Sequence, residues 1–265
     1  MENNEYRLPS SDGFLIHGKR GRIFSQLYIP EGSGPAPVVV LCHGIPGNER
    51  LLDFAVALRE AGFCALHFHY SGSWGSDGQY SMVHCFEDTM TVLDWVKKNE
   101  MGLFDLDNVF VCGHSMGGIM ACRAIGCSGL VRGGVVIMPL NGQIPVDEAL
   151  SGAPSKEQKD FYDGCGLWLN DFGWRSMDRD AHTHPDWFRF DTYAAEMAKK
   201  PVLTVAGARD TLLPREKHID LLNSLIEKEG RGLLETVTFD CDHGMNMHRT
   251  EIKDHIARYL KELCR

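Results

Sequence analysis

Residues 113–118 read Gly113-His114-Ser115-Met116-Gly117-Gly118 and match the pattern G-x-S-x-G. The apolar run Asn108–Cys112 directly precedes this stretch, and Ile119–Ile125, a helix-like segment of small residues, directly follows it. A strand, a sharp turn and a helix in this order form a nucleophile elbow, which raises the serine hydroxyl above the edge of a sheet. The glycines on either side are required because a Cβ atom there would clash with the crowded turn. The stretch therefore predicts Ser115 as a nucleophile at a helix N-terminus, where backbone N–H groups stabilise an anion.

Strand-like and helix-like segments alternate on both sides of this elbow, which predicts an α/β fold with a mostly parallel central sheet and helices on both faces. Apolar runs such as Pro37–Cys42 have no polar alternation, as expected for strands that are buried on both sides. The expected strands are Phe14–Pro30 (a pair around a glycine turn), Pro37–Cys42, Phe63–Tyr70, Asn108–Cys112, Gly134–Met138, Pro201–Ala206 and Leu233–Phe239. The expected helices are Leu51–Ala61, Val83–Asn99, Ile119–Ile125, Pro214–Glu229 and Asn246–Leu263.

One segment interrupts the alternation, and it divides the chain into a core of residues 1–139 and 196–265 and an inserted cap of residues 140–195. The insertion has no clear buried strand but is rich in aromatic residues, whereas disordered segments are poor in them. We therefore expect a lid over a pocket. The predicted substrate-binding residues are Trp74, Trp168, Trp174 and Trp187, and Arg175 and Arg179 could meet a carboxylate.

A serine hydroxyl needs a base that is held in place by a third group, and in this kind of fold the acid precedes the histidine in the chain. Asp210 follows the strand Pro201–Ala206, and His243 follows the last predicted strand. We predict these two residues as the acid and the base. Rival carboxylates are Asp240 and Asp242, which are too near His243 in the chain to orient its ring, and Asp163 and Asp171 in the insertion.

The turn after the strand Pro37–Cys42 reads His43-Gly44-Ile45-Pro46-Gly47-Asn48 and lies where this fold takes an oxyanion donor. Gly44 permits a close approach of the backbone, and Pro46 has no N–H to donate. The predicted oxyanion hole therefore consists of the backbone N–H groups of Ile45 and Met116.

We predict no catalytic role for the other histidines. His114 is expected to pack beneath the elbow, while His218, His248 and His255 fall on predicted helices as solvated or capping side chains. The pairs His67/His69 and His182/His184 raise the possibility of zinc, but neither pair has a convincing third ligand in the sequence. We therefore predict no metal and no organic cofactor.

Composition excludes several classes of protein. The 265 residues are 43% hydrophobic, enough for a sizeable core, and carry a net charge of −9 without a basic run, which argues against a nucleic-acid partner. Apolar stretches fall short of the roughly 20 residues of a membrane span, and the polar stretch 1–5 is unlike a signal peptide. The nine cysteines lack C-x-x-C spacing. A cytoplasmic protein is expected.

Four motifs together resemble the α/β-hydrolase superfamily over nearly the whole chain: HGIPGN (43–48), GHSMGG (113–118), GARDTLLP (207–214) and CDHGM (241–245). The sequence is most similar to small bacterial serine esterases and cinnamoyl (feruloyl) esterases, and next to acylaminoacyl-peptidase-like hydrolases. These relatives carry D-x-R-G-x-G-x-S-x-G after the fourth strand. Here His69 replaces the aspartate and Ser71 the arginine, so the hydrogen bonds that support this loop must differ.

The resemblance and the motifs together imply a serine hydrolase that cleaves carboxylic esters of small to medium acyl or aryl groups through an acyl-enzyme on Ser115. A serine peptidase or amidase acting on short peptides would use the same residues. A non-catalytic binding module on a hydrolase scaffold is the alternative from another class, although it predicts a broken set of catalytic residues. The expected partner is a small ester, and the sequence leaves a homodimer open.

Overall fold

The computed structural model describes residues 6–48 and 50–264, and across these ranges eight strands form one sheet. The strands are β1 Ser10–Gly18, β2 Gly21–Ile29, β3 Ala36–Cys42, β4 Cys64–Phe68, β5 Phe104–His114, β6 Gly133–Ile137, β7 Val202–Gly207 and β8 Leu234–Phe239. The helices are α1 Leu52–Glu60, α2 Met82–Lys98, α3 Met116–Cys127, α4 Gln143–Leu150, α5 Lys156–Cys165, α6 Trp174–Thr183, α7 Asp191–Met197, α8 Ile219–Glu227 and α9 Arg249–Leu263.

The sheet has the order β1-β2-β4-β3-β5-β6-β7-β8. The pairs β1/β2 and β2/β4 are antiparallel, and every pair from β4 to β8 is parallel. The carboxyl ends of the parallel strands therefore meet at one edge of the sheet, which is where such folds bind ligands.

Helices cover both faces of this sheet, as predicted. In β3, Val38 and Val40 point to one hydrophobic cluster, which includes residues of α2, α3 and α8. Val39 and Leu41 point to a second cluster, which includes residues of α1 and α9. Successive side chains of a strand face opposite sides, so a strand buried on both sides is apolar at every position.

Several element boundaries differ from the prediction. The expected helix Pro214–Glu229 is wrong as one helix: a 3-10 turn, Arg215–Lys217, is followed by His218 in a non-helical conformation, and α8 begins only at Ile219. We attribute the break to a tertiary hydrogen bond: the buried Nδ1 of His218 accepts from the backbone N–H of Asn141 at 2.9 Å. Side-chain contacts between distant segments are not encoded in local periodicity.

The segment 140–195 folds into α4, α5, α6, the 3-10 turn Pro185–Phe188 and the first part of α7, between β6 and β7. The middle of this segment is hydrogen-bonded through its backbone to the loop after β4. Leu169 forms a bridge with Ser73, the N–H of Asn170 donates to the carbonyl of Gly72 at 2.8 Å, and the carbonyl of Asn170 accepts from the N–H of Tyr80 at 2.9 Å. The insertion is thus joined to the core at this loop.

The polar stretch 1–5, from which we expected no leader peptide, lies outside the described residues. Within residues 6–48 and 50–264, no helix has both the length and the apolar character that crossing a membrane requires.

Candidate active site

Ser115 lies between β5 and α3 with φ 59° and ψ −122°, a conformation that non-glycine residues rarely adopt. The sharp turn is held from both sides. The N–H of Ser115 donates to the carbonyl of Ile137 at 3.0 Å, and its carbonyl accepts from the N–H groups of Gly118 and Leu140, both at 2.9 Å. Strained backbone of this kind persists where the surroundings over-determine it, and it often marks a functional site.

Glycine is required on both sides of this serine, as the sequence predicted. A Cβ atom on Gly113 would lie 2.0 Å from the carbonyl oxygen of Gly117, and one on Gly117 would lie 1.9 Å from that of Cys42. No real Cβ contact is this short. The strand β5, the helix α3 and the end of β3 therefore approach one another as closely as they do only because these positions lack side chains.

The partly exposed His243 and the buried Asp210 form a hydrogen-bonded pair at the same edge of the sheet. The Nδ1 of His243 lies 2.7 Å from the Oδ2 of Asp210. The other oxygen, Oδ1, accepts the backbone N–H groups of Leu212 and Leu213 at 3.0 and 2.9 Å. Since a carboxylate accepts, the Nδ1 of His243 donates, which leaves Nε2 as the ring nitrogen available to take a proton.

The rival carboxylates are occupied elsewhere. Asp240 binds the guanidinium of Arg209, with 2.6 Å between its Oδ1 and the arginine Nε. Asp242 accepts two hydrogen bonds from Asn246. In the insertion, Asp163 accepts the N–H of Trp174 and Asp171 accepts from Gln79.

A cavity of about 300 Å³ lies at this edge, and Ser115, His243 and Ile45 all line it. The loop before Ile45 lies directly against the serine, because a Cβ atom on Gly44 would be 3.1 Å from the Cβ and 3.5 Å from the Oγ of Ser115. Met116 is fully buried at the first position of α3, where a backbone N–H has no acceptor within the helix. Ser115, His243 and Ile45 therefore share one cavity, while Asp210 and Met116 are buried and do not line it.

The tryptophans do not line this cavity, which differs from our expectation. Trp74 and Trp168 stack on each other with ring centroids 6.1 Å apart, and Trp168 is 61% exposed. Trp174 is buried behind Tyr162, and the ring of Trp187 packs against Arg123, whose guanidinium carbon lies 3.8 Å from the ring centroid. The insertion instead lines the cavity through α5, with Phe161 and Tyr162. Our expectation rested on the aromatic content of the insertion, which does not indicate which of its helices faces the serine.

Two buried histidines lie near the predicted catalytic residues: His114, which we expected to pack beneath the elbow, and His218, which we expected to be solvated or to cap a helix. The Nε2 of His114 lies 2.8 Å from the carbonyl oxygen of His243, to which it donates, and the two rings are 4.7 Å apart. His218 is 4% exposed rather than solvated, and its contact with Asn141 joins the Asp210 loop to the segment after β6. Burial lowers the pKa of His114 to about 3 and that of His218 to about 4, so both rings are neutral near pH 7.

His67 and His69, the pair considered for zinc, form a buried aromatic cluster with His43. Ring centroids in this cluster are 4.8 to 5.9 Å apart. Both ring nitrogens of His67, the Nδ1 of His69 and the Nε2 of His43 lack a hydrogen-bond partner within the described ranges. In the same ranges, no group of three or more His, Cys, Asp or Glu side chains is arranged to hold a metal ion.

The altered loop after β4 is supported by a different set of hydrogen bonds. The N–H of Ser71 donates to the Oδ2 of Asp88 on α2 at 2.7 Å. The hydroxyl of Ser76 donates to the carbonyl of His69 at 2.7 Å and accepts from the N–H of Phe24 at 2.9 Å. A carboxylate from α2 and a serine therefore hold the loop, and His69 takes part through its backbone.

Comparison with known proteins identifies the family. A family model described as the alpha/beta hydrolase family matches residues 39–254. A curated relative, an uncharacterized 31.7 kDa protein in the traX-finO intergenic region of Escherichia coli, is 38% identical over 103 residues, which cover 36% of this chain and 35% of the relative. The matched region thus spans about a third of that relative's length.

Solved structures with the same fold include esterases. Esterase Pf2001 of Pyrococcus furiosus superimposes with a TM-score of 0.68 at 17% identity, over 98% of this chain and 93% of the esterase. Est1E from Butyrivibrio proteoclasticus gives a TM-score of 0.72 at 19% identity, over 94% and 98% of the two chains, and a structure of Est1E with bound ferulic acid matches equally well. At these identities the likeness establishes the α/β-hydrolase fold.

Proposed function

Because the chain belongs to the alpha/beta hydrolase family, we propose that it is a serine hydrolase that cleaves carboxylic esters of small to medium acyl or aryl groups through an acyl-enzyme on Ser115. The observation that carries this proposal is the hydrogen bond between His243 and Asp210 at the wall of the cavity that Ser115 also lines. A nucleophile, a base and a group that orients the base are the minimum for this chemistry.

The reaction proceeds in two steps of acyl transfer. The Nε2 of His243 takes the proton of Ser115 as the serine oxygen attacks the ester carbonyl, and Asp210 keeps the imidazole in the tautomer that can accept it. The N–H groups of Ile45 and Met116 receive the negative charge of the tetrahedral intermediate. His243 then protonates the leaving alcohol, and a water molecule repeats these steps on the acyl-enzyme.

The cavity wall supports an acyl or aryl substrate. Phe161 and Tyr162 of the insertion and Leu212 and Leu213 of the Asp210 loop line it. Apolar walls exclude water and bind hydrocarbon or ring surfaces, while a few polar groups fix orientation. Ferulic acid, which is bound in a structure of Est1E, is an aryl acid, so a protein of the same fold holds a group of this kind.

Hydrolysis of p-nitrophenyl acetate and butyrate by the purified protein, compared with hydrolysis of aminoacyl p-nitroanilides, tests this function. We expect turnover of the esters to exceed that of the anilides, and we expect Ser115→Ala to lower kcat for the esters by at least about 10³-fold. Faster cleavage of the anilides would favour a peptidase or amidase. No hydrolysis of either class would favour the non-catalytic binding module.

We place this activity in the cytoplasm. All nine cysteines are free thiols, and most of them are buried. Free thiols in this number are typical of a reducing compartment, since oxidising compartments favour disulfides.

A further inference from the structure

One wall of the Ser115 cavity carries an unpaired negative charge. Glu157 lies in the first turn of α5 and lines the cavity together with Phe161, one helical turn further along. Its side chain is exposed, and within residues 6–48 and 50–264 no side chain or backbone group forms an ion pair or hydrogen bond with its carboxylate. A negative charge is favourable at this end of a helix.

No positive side chain offsets this charge among the described residues that line the cavity, where the other ionisable groups are His114, His243 and the phenol of Tyr162. Lys156, the neighbour of Glu157 in the chain, is paired with Asp160. Arg175 and Arg179, which the sequence suggested as partners of a carboxylate, line a separate depression with Asp163, Asp171 and Asp178. The chain as a whole carries a net charge of −9, which also disfavours the approach of anions.

Aromatic surface lies beside the same carboxylate. Phe161 is 40% exposed, and its ring meets that of Tyr162 edge to face at a centroid distance of 5.3 Å. An alkylammonium group binds well where a carboxylate and the face of an aromatic ring are both within reach, because both attract positive charge and the ring also contacts the alkyl groups.

We propose that the Ser115 cavity is built for esters that carry an ammonium group, and that Glu157 is the residue that sets this preference by binding the cation beside the ring of Phe161. The proposal rests on the serine hydrolase function proposed above and narrows its substrate class. The same negative charge would disfavour esters whose acyl or alcohol group ends in a carboxylate.

Pairs of substrates that differ only in charge provide the test, and they cover both sides of the ester bond. For the acyl side, the p-nitrophenyl ester of 4-(trimethylammonio)butanoate is compared with that of 5,5-dimethylhexanoate, its neutral analogue of equal shape. For the alcohol side, butyrylthiocholine is compared with S-(3,3-dimethylbutyl) thiobutyrate. The measured quantity is the ratio of kcat/KM, cationic over neutral substrate.

In the unaltered protein, at low ionic strength, we expect the ratio to be about 10 or more for at least one pair of substrates. An exposed ion pair and a cation–aromatic contact together would give a preference of this size. The ratio should fall as salt is added, because the carboxylate is in contact with solvent. Glu157→Gln should lower the ratio by about threefold or more, leaving the part that the ring of Phe161 contributes, and Glu157→Lys should bring it below one.

Glu227→Gln is the matched control, since Glu227 lies at the end of α8, is exposed and does not line the cavity. It removes the same charge from the whole molecule and should leave the ratio unchanged. If the ratio falls equally in Glu227→Gln and in Glu157→Gln, the preference comes from the net charge of the molecule, and the proposed role of Glu157 is wrong.

Two results would overturn the proposal. If both ratios are close to one while the neutral esters are hydrolysed in a manner that needs Ser115, the charge preference is wrong and the serine hydrolase function stands. If no ester is hydrolysed and Ser115 does not react with a fluorophosphonate, the proposed function itself fails, and the substrate class fails with it.

Discussion

The carboxylate of Asp210 uses both of its oxygens, one for the Nδ1 of His243 and the other for two backbone N–H groups. Asp210→Asn keeps the size of the side chain and one accepting oxygen. With that oxygen held by Leu212 and Leu213, the amide N–H₂ faces His243 and forces its ring into the tautomer that cannot accept the serine proton. We expect kcat for p-nitrophenyl butyrate to fall by about 10³–10⁴-fold.

Asp240→Asn is the matched control for this change. Asp240 lies three residues before His243 and pairs with Arg209 on the surface. Its replacement should change kcat by less than about twofold, since exposed ion pairs contribute little. Equal losses in both variants would contradict the assignment of Asp210 as the group that orients the base.

We expect His218 to position the turn that carries Ser115, and substitutions at His218 can distinguish this role from a purely structural one. Its Nδ1 accepts from the backbone N–H of Asn141, and the Leu140 N–H beside it donates to the carbonyl of Ser115. His218→Leu removes the acceptor and should lower kcat by about tenfold or more, because small displacements of reacting groups are costly. We expect KM to change little.

His218→Asn retains an acceptor near the position of Nδ1 and should recover part of the lost kcat. Circular dichroism and the urea midpoint of both variants show whether the fold is retained. Equal kcat values in His218→Leu and in the unaltered protein would exclude the positioning role.

At the scale of elements, the elbow depends on the close approach of β3, β5 and α3. A Cβ atom on Gly117 would meet the carbonyl of Cys42 at 1.9 Å, a backbone atom that cannot rotate away. We expect Gly117→Ala to lower the free energy of unfolding by about 3 kcal/mol or more, as overpacking against rigid surroundings does. Urea unfolding of both proteins at pH 7.5 measures this difference.

Gly129→Ala is the matched control, because a Cβ atom on Gly129 would meet no other atom within 4 Å. Its effect on the free energy of unfolding should stay within about 0.5 kcal/mol. If both substitutions cost the same, the crowding at the elbow does not explain the need for glycine.

The order of the elements was predictable because buried parallel strands and amphipathic helices leave a periodic record in the sequence. So was the position of the loops that carry Ser115, Asp210 and His243, since each follows a strand. The residues that line the cavity were not predictable, because they depend on which face of α5 turns inward. Tryptophan content predicted Trp74 and Trp168 as lining residues, yet these rings stack on each other outside the cavity. The burial of His218 likewise depends on a contact with Asn141, 77 residues away.

At the scale of the whole molecule, stability depends on pH through five histidines that are buried within residues 6–48 and 50–264: His43, His67, His69, His114 and His218. Burial lowers the pKa of His43 and His218 to about 4, that of His69 and His114 to about 3, and that of His67 well below its usual value of 6.5. Below about pH 6.5 the unfolded chain therefore binds protons that the folded chain cannot. Stability is lost as the pH falls from about 6.5 towards 4.

His67→Leu tests this coupling at one position, since both of its ring nitrogens are without a hydrogen-bond partner among the described residues. The apolar side chain of similar size cannot be protonated in the unfolded state. We expect the loss of unfolding free energy between pH 7.5 and pH 5 to be smaller in the variant by roughly 2 kcal/mol. Urea unfolding at the two pH values measures it, and an unchanged pH dependence would show that His67 takes up no extra proton on unfolding.

The whole proposal depends on Ser115 being made reactive by His243. Reaction of the folded protein with a fluorophosphonate, followed by intact-mass measurement and peptide mapping, tests this most directly. We expect one adduct per chain, located on Ser115, and little or no adduct in His243→Ala. An unlabelled Ser115 in the folded protein, or equal labelling in His243→Ala, would contradict it.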